Sequence, residues 1–222
     1  MKRALIIGAN GTIGGALSKL MAPQYKLHTL NRSETDYSET SLTSLSAQLK
    51  EQGDFHTIIC CIGTLHNDIV TPEKRLSQIS QDALAEYFRI NTILPTLCLK
   101  AFSPLLSKTE PSRFTFLSAM VGSIEDNALG GWYGYRSSKA ALNMIVKTAS
   151  IELARTHKKS ALAVIHPGTT QGPLSKPFSS GVNRDNYYTP EQSAERILEV
   201  TESLQAENTG SFYNWDGSKL PW

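Results

Sequence analysis

The chain has 222 residues, a formal net charge of +2, and 40% hydrophobic against 19% charged residues. A charge this close to zero argues against a nucleic-acid or anionic-membrane partner, and the apolar-to-charged balance is that of a soluble globular chain. At about 150 residues per domain, and with no linker-like composition, the length fits a single domain spanning 1–222.

The cysteines Cys60, Cys61 and Cys98 are odd in number, two are adjacent, and none has metal-ligand spacing. That usage suits a reducing cytosol and predicts no metal site. The apolar run Ala4-Leu5-Ile6-Ile7 is broken by Gly8, Asn10 and Gly11, too early for a secretory signal core. No stretch nears the ~18 apolar residues of a membrane helix. The expected location is the cytoplasm.

Arg3 to Ile7 reads as a short buried strand, followed by the glycine-rich turn Gly8-Ala9-Asn10-Gly11-Thr12-Ile13-Gly14-Gly15. A helix follows, with Ile13, Leu17, Leu20 and Met21 on one face. Strand, glycine turn and helix form the setting of a dinucleotide fingerprint. Glycines let the backbone approach a pyrophosphate, and the helix N-terminus offers free amides and partial positive charge. The spacing is Gly-x-x-Gly-x-x-Gly.

Tyr25 to Leu30 is a second strand, ending in Asn31-Arg32. A carboxylate here would suit the ribose 2′-hydroxyl of NAD, whereas an arginine suits the 2′-phosphate of NADP, so NADP is favoured over NAD. Ser33 to Thr40 is polar loop, and Leu42, Leu45, Ala47 and Leu49 predict a helix ending before Gly53. His56 to Ile62 is a near-continuous apolar strand closing at Gly63, and residues 64–79 have no period.

Ser80 caps a helix beginning at Gln81 and running to Phe102, bent at Pro95, with Asn91 as a polar member of its apolar face. Arg113 to Leu117 and Ala161 to Ile165 are further buried strands, the second ending in His166-Pro167-Gly168. Residues 169–189 read as a loop over a substrate. Thr189-Pro190 starts a helix through Val200, and Ser211-Phe212-Tyr213 is a last short strand. Strands alternating with helices predict an α/β, doubly wound parallel sheet.

Between those strands lies Trp132-Tyr133-Gly134-Tyr135-Arg136-Ser137-Ser138-Lys139, the opening of a helix running to about Thr156. Positions four apart share one face, so the Lys139 ammonium sits beside the Tyr135 phenol. A nearby positive charge lowers a tyrosine pKa from about 10. A phenol so tuned exchanges a proton with a carbonyl or alcohol oxygen.

With the glycine turn at Gly8, Gly11 and Gly14, Asn91 on the fourth helix, Tyr135-x-x-x-Lys139 and Pro167-Gly168, the chain resembles the short-chain dehydrogenase/reductase family, most of all its C-factor-like branch. The resemblance implies a Rossmann-type sheet and NAD(P)-dependent interconversion of a small-molecule carbonyl and alcohol. By it, Tyr135 is the general acid/base, and Lys139 lowers its pKa and holds the nicotinamide ribose. Asn91 fixes a relaying water, and a serine polarises the substrate. Counting back three from Gly122 gives Ala119, so the serine is Ser118, Ser123 or neither. Cofactor contacts fall on Gly8, Asn10, Gly11, Thr12, Ile13, Gly14, Asn31, Arg32, Ile62, Gly63, Asn91, Tyr135, Lys139, Pro167, Gly168 and Thr170.

Two departures stand out. Cys60-Cys61-Ile62-Gly63 replaces the family's Asn-Asn-Ala-Gly, and between Arg32 and Asp36 there is no room for the usual second helix and third strand. That unit is expected to be shortened or absent, with Asp36 at the adenine. The family analogy also implies a homodimer or homotetramer packed through 81–106 and 133–156. A second reading, from Ala119 and the altered strand end, is a catalytically weak dinucleotide-binding signalling or scaffold protein.

Overall fold

A computed structural model describes residues 1–181 and 186–222; positions 182–185 of the expected substrate loop lie outside the described residues. Six strands form one parallel sheet: β1 (Arg3–Ile7), β2 (Lys26–Leu30), β3 (Thr57–Cys60), β4 (Ser112–Leu117), β5 (Ser160–His166) and β8 (Ser211–Asn214), in the order β2-β1-β3-β4-β5-β8. Two short strands, β6 (Thr169–Thr170) and β7 (Tyr187–Tyr188), pair separately. No described helix is long and apolar enough to cross a membrane.

The central strands are apolar on both faces because helices cover both. On one face Leu5, Ile7, Ile58, Cys60, Phe114, Phe116, Leu162, Val164 and Phe212 pack against helices α2 (Glu39–Glu51), α4 (Leu94–Phe102) and α5 (Tyr133–Leu153). On the other, Ala4, Ile6, Ile59, Leu117, Ala163 and Ile165 meet α1 (Thr12–Met21) and α6 (Pro190–Ser203). Each large side chain fully buried in these layers contributes roughly 1.5–3 kcal/mol.

The reversal of strand order lies between β1 and β3, the crevice where open α/β sheets bind ligands. β2 is an edge strand, and a turn at 31–38 leads straight into α2, capped by Ser38. The expected loss of the edge helix and strand is what the fold contains. β3 is shorter than its apolar run, covering Thr57–Cys60 rather than 56–62.

The helix expected to run from Gln81 with a bend at Pro95 is resolved into α3 (Gln81–Phe88), a π-helical turn (Arg89–Ile93) and α4. Pro95 explains the break. It has no N–H for the Asn91 carbonyl four residues back, and the widened turn bonds the Leu94 amide to the Arg89 carbonyl instead.

Candidate active site

The glycine turn is built as its sequence requires. Gly8 has φ of +83°, and a methyl on Gly14 would lie 2.3 Å from the Gly8 carbonyl oxygen. Only glycine lets α1 pack this closely on the end of β1. The α1 cap, Gly11, has no side-chain capping bond, and the first turn carries no acidic residue. Asn10 and Thr12 are exposed there, and Ile13 packs inward on the α1 face of the sheet. Bare amides at a helix N-terminus form an anion cradle of the kind that takes a pyrophosphate.

Beyond β2, Arg32 is exposed. The Asn31 side chain accepts from the Ser33 amide at 3.1 Å, and the Glu34 carboxylate accepts from the Asn31 amide at 2.9 Å. Asp36 accepts from the Ser38 amide at 2.9 Å, and that bond lowers its pKa. The acid expected at the adenine thus stands in the turn that leads into α2.

At the carboxyl end of the sheet, α5 carries Tyr135 and Lys139 inward, 9% and 3% exposed. Lys139 Nζ donates to the Leu117 carbonyl oxygen at 2.9 Å. A methyl on Gly63 would lie 2.9 Å from Nζ and 3.4 Å from Oδ1 of Asn91, so the residue after Ile62 faces both. Asn91 is fully buried. Its Oδ1 accepts from the Thr64 amide at 2.8 Å, and its Nδ2 donates to the Thr64 carbonyl at 3.0 Å and to Ser138 Oγ at 3.1 Å. Asn91 therefore ties the strand-end loop to α5 one residue before Lys139.

Electrostatics depart from the expectation for Tyr135. Burial pushes its phenol up, where the neighbouring ammonium was expected to lower it. Burial likewise pulls Lys139 down to about 8. Desolvation penalises the charged form of both groups, and the ammonium bonds to the Leu117 carbonyl rather than to the phenol.

Tyr135 sits in an apolar cluster with Leu65, Val70, Tyr87 and Ala119, flanked by Val121, Trp132 and Phe178. The Trp132 ring lies edge-on to Tyr135 and to Phe178, at 6.2 and 5.4 Å. The two candidate serines turn elsewhere. Ser118 Oγ donates to Asn143 Oδ1 at 2.6 Å, and Ser123 Oγ accepts from the Asp126 amide at 3.1 Å. Ala119 is the residue of this strand end that packs with Tyr135.

Past β5, Gly168 has φ of +73°, and a methyl on it would meet Trp215 and Tyr188 at 2.9 and 3.0 Å. Pro167 and Thr170 are half-buried beside it, with Thr170 Oγ1 2.7 Å from Ser193 Oγ. Gly172 would strike Thr12 at 2.9 Å if it bore a methyl, so the loop lies on the start of α1. Glu73 is a buried carboxylate at the start of α5 that the aperiodic stretch 64–79 did not signal.

A parallel sheet with a glycine-built anion cradle at one strand end, and Tyr135 with Lys139 at the next, defines a class. The chain belongs to the short-chain dehydrogenase/reductase family, whose members are NAD(P)-dependent oxidoreductases. Residues 34–206 match the family model described as Enoyl-(Acyl carrier protein) reductase. Among curated relatives, a 1-hydroxy-2-glutathionyl-2-methyl-3-butene dehydrogenase of Rhodococcus sp. (strain AD45) is 31% identical over 83% of this chain and 76% of its own. The C-signal protein of Myxococcus xanthus is 31% identical over 66% of this chain and 83% of its own. Among solved structures, an NADPH-bound carbonyl reductase from chicken fatty liver superposes with a TM-score of 0.79 at 21% identity, over 100% of this chain and 99% of that one.

Proposed function

We propose that this protein is an NADP-dependent carbonyl reductase, equally an alcohol dehydrogenase in reverse, acting on a small and largely apolar substrate. The observation that carries the reading is the convergence of Lys139 and Asn91 on Gly63 at one end of the sheet, with Tyr135 buried one helical turn before Lys139. The nicotinamide cofactor, when bound, supplies or accepts the hydride.

The glycine turn, with Gly8, Gly11 and Gly14, fits the pyrophosphate, because side chains there would close the approach. In this reading Arg32, exposed at the end of β2, takes the 2′-phosphate, with Asn31 beside it and Asp36 for the adenine. Ile62 and Gly63 pass the adenosine, and Pro167, Gly168 and Thr170 hold the nicotinamide end. A relative that is a dehydrogenase and a solved carbonyl reductase carrying NADPH support this reading.

The raised phenol of Tyr135 stays protonated at neutral pH, so it serves as the general acid for carbonyl reduction. Lys139, protonated below about 8, provides the positive field that stabilises the phenolate left behind. Asn91 keeps the strand-end loop and α5 in register around both. Leu65, Val70, Ala119, Trp132 and Phe178 form apolar walls that favour a hydrocarbon or aromatic substituent on the carbonyl. Ser118 is turned to Asn143, so little polarisation of the substrate comes from a serine.

The test is NADPH consumption on a panel of apolar aldehydes and ketones. Tyr135→Phe is expected to remove at least about 100-fold of kcat. Arg32→Ala should weaken NADPH binding about tenfold and leave NADH unchanged. Turnover indifferent to Tyr135→Phe would refute the reading. The scaffold reading remains the second one, because Ala119 stands beside Tyr135 where the family pattern asks for serine. Assembly as a homodimer or homotetramer through 81–106 and 133–156 draws support from exposed Ile93, Met144 and Ile151, and size-exclusion mass tests it.

A further inference from the structure

Helix α5 begins without a cap of its own. Its N-cap residue, Trp132, has φ of 53° and makes no side-chain capping bond. The first amides of a helix lack partners within it, and a buried start needs them from elsewhere. Here they come from Glu73, in the loop between β3 and α3. The Glu73 carbonyl oxygen accepts from the Trp132 amide at 2.5 Å, and Oε2 accepts from the Gly134 amide at 3.1 Å.

Glu73 is 4% exposed, and its second oxygen, Oε1, is buried with no hydrogen-bond partner among the described residues. A buried carboxylate with one oxygen unpaired is costly, and the positive end of a 21-residue helix is what offsets it here. The surroundings are shaped to this contact. A methyl on Gly134 would lie 3.0 Å from Oε1 and 2.4 Å from the Tyr87 ring. Tyr87 in turn donates to the Leu65 carbonyl at 2.8 Å and lies edge-on to Tyr135 at 6.2 Å. The residue after Gly134 is Tyr135.

We propose that Glu73 is a positioning residue: its carboxylate clamps the first turn of α5 and thereby fixes the Tyr135 hydroxyl at the reacting centre. The proposal rests on the assignment of Tyr135 as general acid. Displacement of an acid by a fraction of an ångström costs rate far more than cofactor affinity, since the pyrophosphate cradle lies on α1 and Lys139 stands a full turn beyond the clamped residues of α5.

The experiment compares Glu73→Ala, Glu73→Asp and Glu73→Gln in the full chain by steady-state kinetics, NADPH fluorescence titration and amide hydrogen exchange at residues 133–137. Glu73→Ala is expected to lower kcat about tenfold and speed exchange of the Gly134 amide about tenfold, with NADPH affinity within about twofold. Glu73→Gln keeps an acceptor and should restore most of both. Glu73→Asp keeps the charge but falls short of Gly134, and should behave as the alanine variant does; it decides the matter if the alanine variant does not fold. Unchanged exchange in both shortened variants overturns the proposal. So does faster exchange with kcat intact while Tyr135→Phe is inactive, an outcome that leaves the Tyr135 assignment standing. If Tyr135→Phe itself retains full turnover, that assignment fails and takes the positioning role with it, whatever the exchange shows.

Discussion

Gly63 and Lys139 are fitted to each other: a methyl group on Gly63 would come within 2.9 Å of the Lys139 ammonium nitrogen. The atom in the way is the far end of a flexible chain, so Gly63→Ala should fold. The fold survives by moving Nζ, which loses its bond to the Leu117 carbonyl. We expect kcat/KM to fall about tenfold or more, with a thermal midpoint within a few degrees of the parent. Steady-state kinetics beside a thermal melt check this. A variant as active as the parent would mean that the lysine position carries no catalytic weight.

Lys139 also predicts a pH dependence of defined sign. Its amine titrates at about 8 in the fold, against 10.5 for the ordinary side chain. Carbonyl reduction should therefore decline above about pH 8 as the charge that steadies the phenolate is lost. Stability moves the other way. Between about 8 and 10.5 the unfolded chain holds a proton that the folded chain does not, so stability rises with pH across that window. At 1.36 kcal/mol per unit, the gain approaches about 3 kcal/mol. Lys139→Met removes the titrating group and should flatten the rise in urea denaturation at pH 8 and pH 10.

Ala119 and Ser118 make opposite predictions from neighbouring positions. Ala119 belongs to the apolar cluster around Tyr135, so Ala119→Ser adds a hydroxyl to that cluster. Turnover should rise about tenfold, at the low end of what one positioned hydrogen-bonding group gives. Ser118→Ala removes only the bond to Asn143 Oδ1 and should cost about 1 kcal/mol of stability with turnover within a few-fold. The comparison also separates the two functional readings. Activity detectable only in Ala119→Ser would mark the natural chain as mainly a cofactor binder.

Much of this fold was legible because its signals are local. The buried strands are continuous apolar runs, the glycine turn carries its own backbone requirement, and Tyr135 and Lys139 share a face by helical spacing alone. The missing edge unit could be read from the eight residues between the end of β2 and the start of α2. What escaped depends on residues distant in sequence. The direction of the Tyr135 shift is set by burial among Leu65, Tyr87 and Trp132, which no spacing rule reports. Glu73 lies in a stretch without period, and its meaning comes from meeting Gly134 across 61 residues. Pro95 was visible as a bend, but the π turn it imposes on Asn91 follows only from where the displaced hydrogen bonds go. Ser118 was the nearest serine by counting, and Asn143 on a neighbouring helix decides its direction.

His166 gives an acid-side prediction that is independent of catalysis. It ends β5 beside Asn214 of β8, and its Nδ1 and the Asn214 Oδ1 are buried without hydrogen-bond partners among the described residues. Burial pulls its pKa from 6.5 down to about 4. The fold therefore favours the neutral ring, and protonating it means bringing a charge into a buried site. Stability from this group is complete above about 6.5 and is lost as pH falls through about 4, because the unfolded chain takes up the proton first. The loss should be on the order of 1–3 kcal/mol, reduced where the ring is only part-buried. In denaturant titrations at pH 7 and pH 4.5, His166→Gln should lose less stability on acidification than the parent. Equal losses in the two proteins would place the acid sensitivity on the carboxylates instead.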